Sequence, residues 1–328
     1  MKILYINTST ADYVQDLTYT GLVKKFGLQN VIDYKWNKKY HFPYKKYPKN
    51  IGYIEGSFFS SVFRTFNFNE IDYVFIGSCK VEAFETYIEI AHKIPKNVPV
   101  IFIDGGDGNK IGIDLVAYKR PELYEKALSV RPFDFIFKRE YLIDETYDSN
   151  VAPLPMSFNF DRLPTLLTDF KYDVSFWAVE SYALRTKALD MLENMYDCKE
   201  NGTTRNQKFS KYKRKGSFYL QELASCKIVI NIRGGGWDTM RYWETPAVGA
   251  FMLSQEPQIV IPDNFEHGKD VVFFKDDLTD LSDLCDYYLK NDVKREEIAK
   301  SGLQKMKAFH TDEKRIDYIF KTLKKEIK

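Results

Sequence analysis

The sequence lacks any apolar run near the about 20 residues that a membrane-spanning helix needs. Its opening, MKILYIN, is too short for the apolar region of a secretory leader, and no cleavage-site pattern follows it. It reads as a buried first strand. Cysteine is scarce: Cys79, Cys198, Cys226 and Cys285 stand far apart, so neither a disulfide framework nor a zinc ribbon is indicated. Isolated thiols fit the cytoplasm, either free or at the inner face of the membrane. Histidine is scarcer in function than in number, because His41, His92, His267 and His310 show no metal-ligand spacing. No bound metal or cofactor is therefore expected. An excess of charge is also missing. Lys plus Arg total 48 and Asp plus Glu total 46, for a net charge of +2, which gives no global attraction to nucleic acid.

What is present is enough apolar residue for two cores, 44% of a 328-residue chain. Aromatic rings make up 16%. Most serve packing, and some suit stacking on bases or sugars. Continuous apolar runs at 3–7, 73–77, 98–104 and 133–138 predict strands buried on both faces of a parallel sheet. Helical patterns at 82–93 and 121–129 alternate with them. The second half repeats the scheme, with strands at 172–177, 227–232, 250–254 and 271–275. Its helices fall at 181–195, 217–226, 238–248, 278–289 and 293–309. The pattern predicts an α/β protein of two Rossmann-like domains, 1–160 and 161–328, facing each other across a cleft. Pro153, Pro155 and Pro164 mark the join. In the last helix, 312–328, Ile316, Ile319, Phe320, Leu323 and Ile327 form one stripe that must pack on something, the first domain being one choice.

The segment KIVINIRGGGWDTMRYWETPAVGAFML, residues 227–253, concentrates the chemistry. A buried strand ends near Ile232, and a glycine loop follows. A helix begins at Asp238 or Thr239, both good caps, and stops at Gly249. Ligands of open α/β sheets bind beyond the carboxyl ends of strands. Glycines let a backbone approach phosphates, and a helix N-terminus offers N–H groups and partial positive charge. Arg241 and Glu244 share a helix face, where an arginine fork suits a diphosphate and a carboxylate suits ribose hydroxyls. A plain glycine turn with an i,i+3 ion pair fits the same residues. The triple glycine is neither GxGxxG nor a Walker loop.

The run R-Y-W-E-T-P-A-V-G-A-F-M-L resembles the donor-site helix of GT-B glycosyltransferases, with a glutamate five residues before the closing glycine. It is most similar to the spore-maturation (CgeB-like) branch. The similarity continues through F-E-H-G-K-D-V-V-F-F, D-L-S-D-L, R-E-E-I-A-K-S-G and H-T-D-E-K-R, covering about residues 217–328. In the first half it is looser, mainly in Asp16, Gly21 and Leu22 after the first strand. The resemblance implies a metal-independent enzyme that moves a sugar from a UDP- or GDP-type donor to a glycan, protein or other acceptor. It implies Glu244 on the ribose and Arg241 on the phosphates. It also implies a donor-facing loop of Asn231, Arg233, Gly234, Gly235, Gly236 and Trp237, with His267 nearby. Gly236 departs from the pattern, because many retaining members carry a second glutamate there.

An acceptor hydroxyl must lose a proton as it attacks, and a carboxylate can take it. Asp104 and Asp107, after the strand at 98–104, are candidates beside a plain Gly/Asp turn, and Asp16 is a third. Arg185 is a phosphate ligand or a solvated surface arginine. The stretch Lys35–Lys49 mixes basic and aromatic residues suited to an anionic membrane surface or glycan, or is a solvated loop. KFSKYKRK at 208–215 reads the same two ways. Two other functions fit the residues: a non-catalytic nucleotide- or glycan-binding scaffold, and a nucleotide-sugar epimerase.

Overall fold

A computed structural model describes residues 1–44, 48–167, 169–176, 179–197 and 216–326. Within these, ten strands form two parallel sheets. The first half contains β1 (Ile3–Ile6), α1 (Tyr13–Phe26), β2 (Val31–Tyr34), α2 (Lys38–His41), α3 (Phe58–Val62), β3 (Tyr73–Ile76) and α4 (Val81–Ile90). It continues with β4 (Val100–Asp104), α5 (Ile113–Ala117), α6 (Glu122–Val130), β5 (Phe135–Lys138) and β6 (Val151–Pro153). Its sheet runs β2-β1-β3-β4-β5-β6, all parallel. Strand order reverses between β1 and β3, which opens a crevice at their carboxyl ends.

The second half contains β7 (Tyr172–Ser175), α7 (Ala183–Leu192), α8 (Gly216–Ala224), β8 (Cys226–Asn231), α9 (Met240–Ala247), β9 (Phe251–Gln255) and β10 (Val272–Phe274). Then follow α10 (Leu281–Lys290), α11 (Asp292–Phe309) and α12 (Asp312–Glu326). The sheet order is β10-β9-β8-β7.

The continuous apolar runs have the expected consequence. Leu4, Ile6, Val74, Ile76 and Phe102 fill one face of the first sheet, and Ile3, Tyr5, Phe75, Ile101 and Ile103 fill the other. The second apolar cluster crosses into the other half, reaching Val229, Trp243, Met306 and Ile316. Ile316, Ile319, Phe320 and Leu323 of the α12 stripe are buried where α12 packs on α1, with Phe26 and Phe320 edge to face at 5.0 Å, and Ile327 lies outside the described residues. Gly21 permits this approach, since a Cβ there would lie 2.5 Å from the Asp312 carbonyl oxygen. Thr20 and Lys24 bind the Asp312 carboxylate at 2.8 and 3.0 Å.

Three details differ from the sequence pattern. β2, broken by Asp33, and β6, three residues ending in Pro153, do not stand out in the sequence. Pro153 ends edge strand β6 rather than lying in a connection, as an edge tolerates a missing N–H. Lys39, Tyr40 and His41 of the basic stretch turn inward, and Tyr40 stacks on Tyr19 at 3.9 Å. Residues 45–47 of that stretch, Trp177, Cys198 and the run 208–215 lie outside the described residues.

Candidate active site

The loop between β8 and α9 is built by its own side chains. Asn231 is buried; its amide donates to Ser254 Oγ at 3.0 Å and accepts from Thr239 Oγ1 at 2.7 Å. Asn231 thus ties β8 to β9 and to the start of α9. Arg233 layers its guanidinium on Trp237 at 4.1 Å and faces Tyr182 at 4.9 Å. Gly249 takes φ +75° immediately after α9, the left-handed turn that its position requires.

Arg185, on α7, comes against this loop. A Cβ on Gly234 would lie 3.1 Å from Arg185 Nη2. Arg185 is buried and donates to the carbonyl of Ile232 at 2.9 Å, the carbonyl of Val179 at 2.9 Å and Ser181 Oγ at 3.1 Å. Its pKa falls to about 9, first through burial and then through repulsion from Arg241. Arg241 is also buried, 5.6 Å from the Phe176 ring. Two guanidinium groups thus repel each other in a desolvated corner beside a glycine loop, an arrangement that favours an anion.

Glu244 is fully buried and accepts from Arg162 Nη2 at 3.1 Å. Burial raises its pKa, and Arg162 and Arg241 oppose the rise. Arg162, in the connection between the halves, therefore covers the carboxylate.

The first half meets the loop directly. A Cβ on Gly235 would lie 3.0 Å from Asp107 Oδ2. A Cβ on Gly236 would overlap the Glu140 carboxylate. Glu140 accepts from the N–H of Trp237 at 2.8 Å and of Asp238 at 3.0 Å, the two groups leading into α9. Arg139 bridges Glu140, at 3.2 Å, and Asp107. Asp238 accepts from the Met156 N–H and Trp243 Nε1, each at 2.6 Å. Burial lifts its pKa to about 6, countered by Arg139 and reinforced by Glu140.

Other candidates sit in closed networks. Asp104 is buried against Lys138 at 3.2 Å and accepts from the N–H of Gly106 at 3.1 Å and Gly112 at 3.0 Å, so it shapes its own loop. Asp16 is buried on Lys39 at 2.7 Å and Tyr40 at 3.2 Å, and burial raises its pKa. His267 is exposed, accepts from the Phe273 N–H at 3.0 Å and lines a shallow depression of about 330 Å³ with Glu256 and Lys275. Among the described residues no three His, Cys, Asp or Glu converge as metal ligands.

Sequence reasoning passed over Arg139, Glu140, Arg162 and Asp12. The signal for the first two was the Arg-Glu pair directly after a buried strand, since charges there lie at a sheet's ligand edge. Asp12 caps α1 and accepts from Ser78 Oγ at 2.6 Å, at the β1/β3 crevice. Arg162 gave no signal beyond its place in the connection.

Residues 190–321 match the family described as "Glycosyl transferase-like". No curated protein matches the sequence. An alpha-glucosyltransferase solved with UDP is similar in fold, with a TM-score of 0.62 at 9% identity, covering 99% of this chain and 100% of that one. HepE of Anabaena, solved with UDP and glucose, gives 0.60 at 9% identity, covering 99% of each chain. Sucrose-phosphate synthase of Thermosynechococcus elongatus gives 0.54 at 10% identity, covering 98% of this chain and 99% of that one. The fold is that of the GT-B glycosyltransferases, and residues 190–321 carry the glycosyltransferase-like match.

Proposed function

We propose that the protein transfers a sugar from a UDP-type donor, bound on the second half, to a glycan or protein acceptor held by the first. The observation that carries this reading is the buried Arg185–Arg241 pair beside Gly234, which favours a diphosphate. Similar structures solved with UDP support the choice of uridine over guanosine. Glu244 receives the ribose diol, with Arg162 leaving its carboxylate as the nucleotide enters. Asp107 is the base, because it alone of the three aspartate candidates projects from its own half toward the glycine loop. The acceptor O–H gives its proton to Asp107 as the oxygen bonds to the anomeric carbon. The anomeric C–O bond to the diphosphate breaks, and the diphosphate leaves with the electron pair. Arg185 and Arg241 meet the growing negative charge without a metal.

An alpha-glucosyltransferase of similar fold has been solved with UDP and a 13-mer DNA (TM-score 0.59, 10% identity, covering 98% of each chain). The near-neutral charge of this chain favours a glycan or protein acceptor instead. The buried cysteines Cys79, Cys226 and Cys285 suit the cytoplasm. The test is product analysis with UDP-sugars and candidate acceptors, DNA included, with and without chelator. Asp107→Asn should lower turnover by about 100-fold or more while nucleotide affinity holds. Equal turnover in the variant removes Asp107 from the chemistry. A non-catalytic binder is favoured by one observation, the Glu140 carboxylate closing the loop at Gly236. Nucleotide binding without transfer to any acceptor or to water would support it.

A further inference from the structure

The connection from β2 to β3 carries features that sugar transfer does not use. Between residues 35 and 64 the sequence has seven Lys or Arg and one Glu, a local excess of six positive charges in a chain whose total is +2. Among the described residues, the same segment presents the two most exposed phenylalanines, Phe59 at 78% and Phe63 at 83%, with Val62 and Trp36 also exposed. Phe59 and Phe63 are four residues apart across α3 and its end, so they project from one side. The base beneath them is built. Trp36 Nε1 donates to Ser61 Oγ at 3.0 Å, and Phe58 packs on Phe42 at 4.7 Å. Lys38 stands over the Phe42 ring at 5.0 Å. Lys35 and Lys49 are exposed beside them, Lys35 with Glu89 at 3.3 Å. Arg64 is committed inward to Asp33 at 2.7 Å and to the Val31 carbonyl at 2.8 Å, which anchors the segment to the sheet.

Exposed aromatic side chains on a rigid base, ringed by lysines, combine two kinds of attraction. Rings enter the interfacial layer of a bilayer, and each lysine gains from negative headgroups. Lys39 and Arg64 are neutralised inward by Asp16 and Asp33, and it is the exposed Lys35, Lys38 and Lys49 that favour an anionic surface over a neutral one. The segment leaves the carboxyl end of β2, the sheet edge where the crevice opens, and Asn50 within it touches Gly216 of the second half. Docking here would place the acceptor side of the cleft beside a membrane.

We propose that the β2–β3 connection is a membrane-docking surface, with Phe59 and Phe63 inserting and Lys35, Lys38 and Lys49 reading anionic lipid headgroups. This goes beyond the transferase reading and does not depend on it. The test is flotation of the full chain with vesicles of phosphatidylcholine alone and of phosphatidylcholine mixed with phosphatidylglycerol. The protein should float with the anionic vesicles, weakly with the neutral ones, and less as salt rises. Phe59→Ser with Phe63→Ser should weaken binding on the order of tenfold or more. Lys35→Glu with Lys38→Glu should weaken it similarly, and serves if the first variant folds poorly. UDP affinity and melting temperature should stay as in the parent. No flotation with anionic vesicles, or equal flotation of both variants, overturns the proposal. So does light scattering that shows a dimer which the phenylalanine variant dissociates, because a second copy would then cover the patch.

Discussion

The carboxylate of Glu140, from the first half, fills the space that a side chain on Gly236 of the second half would need. Its two oxygens accept the N–H groups of Trp237 and Asp238, and Arg139 links it to Asp107. Gly236 is thus a docking point for a carboxylate from the other half. Gly236→Ala should expel Glu140, strand two backbone N–H groups and cost about 1–3 kcal/mol. Thermal melting checks this. Glu140→Ala should cost a similar amount, and the double variant should cost less than the two added, because both break one contact. Full additivity would mean that the contact is not shared.

The covering of Glu244 by Arg162 separates two effects. Glu244→Gln should weaken UDP binding by about tenfold or more, through loss of a charged acceptor for the ribose diol. Arg162→Ala should leave binding equal or tighter, since the carboxylate no longer has to be uncovered. Titration calorimetry on both variants reads the difference. Weakened binding in Arg162→Ala alone would place the arginine, not the glutamate, on the nucleotide.

His310 makes stability depend on pH. It ends α11, accepts from Arg315 at 3.3 Å on Nδ1 and meets the Asp263 carbonyl at 3.0 Å through Nε2, so it is held neutral. Burial, and then the Arg315 charge, pull its pKa from 6.5 down to about 3. The unfolded chain therefore binds the extra proton between these values, and stability falls as pH drops through that window. At pH 5 the loss is about 2 kcal/mol relative to pH 7, at about 1.4 kcal/mol per pH unit below 6.5. Urea unfolding at the two pH values should show this loss in the parent and a smaller one in His310→Gln. Equal losses would mean that His310 is protonated in the fold.

The fold class was legible because continuous Val, Ile and Phe runs can bury both faces only inside a covered parallel sheet. β2 and β6 escaped notice, since four residues containing Asp33 and three ending in Pro153 carry no periodic signal. The glycine loop and α9 were legible from Gly249 and the strand before them. The partners of the loop were not. Glu140 reaches Trp237 across 97 residues and Arg162 reaches Glu244 across 82, and no local pattern encodes such a pairing. The aspartates show the same limit. Asp104, Asp107 and Asp16 look equivalent in sequence, yet Lys138 closes off the first and Lys39 the third.

One titration tests the Arg185–Arg241 corner as the diphosphate site most directly. UDP and uridine are titrated into the parent and into Arg185→Ala by calorimetry, with melting temperature as the control for folding. UDP should bind more tightly than uridine in the parent, and Arg185→Ala should lose about 10-fold or more of UDP affinity with little change for uridine. Melting temperature should fall modestly, because the variant loses the Arg185 hydrogen bonds to the Ile232 and Val179 carbonyls, so both proteins are titrated well below their melting temperatures. Equal affinity for UDP in parent and variant, in a folded protein, would contradict the assignment.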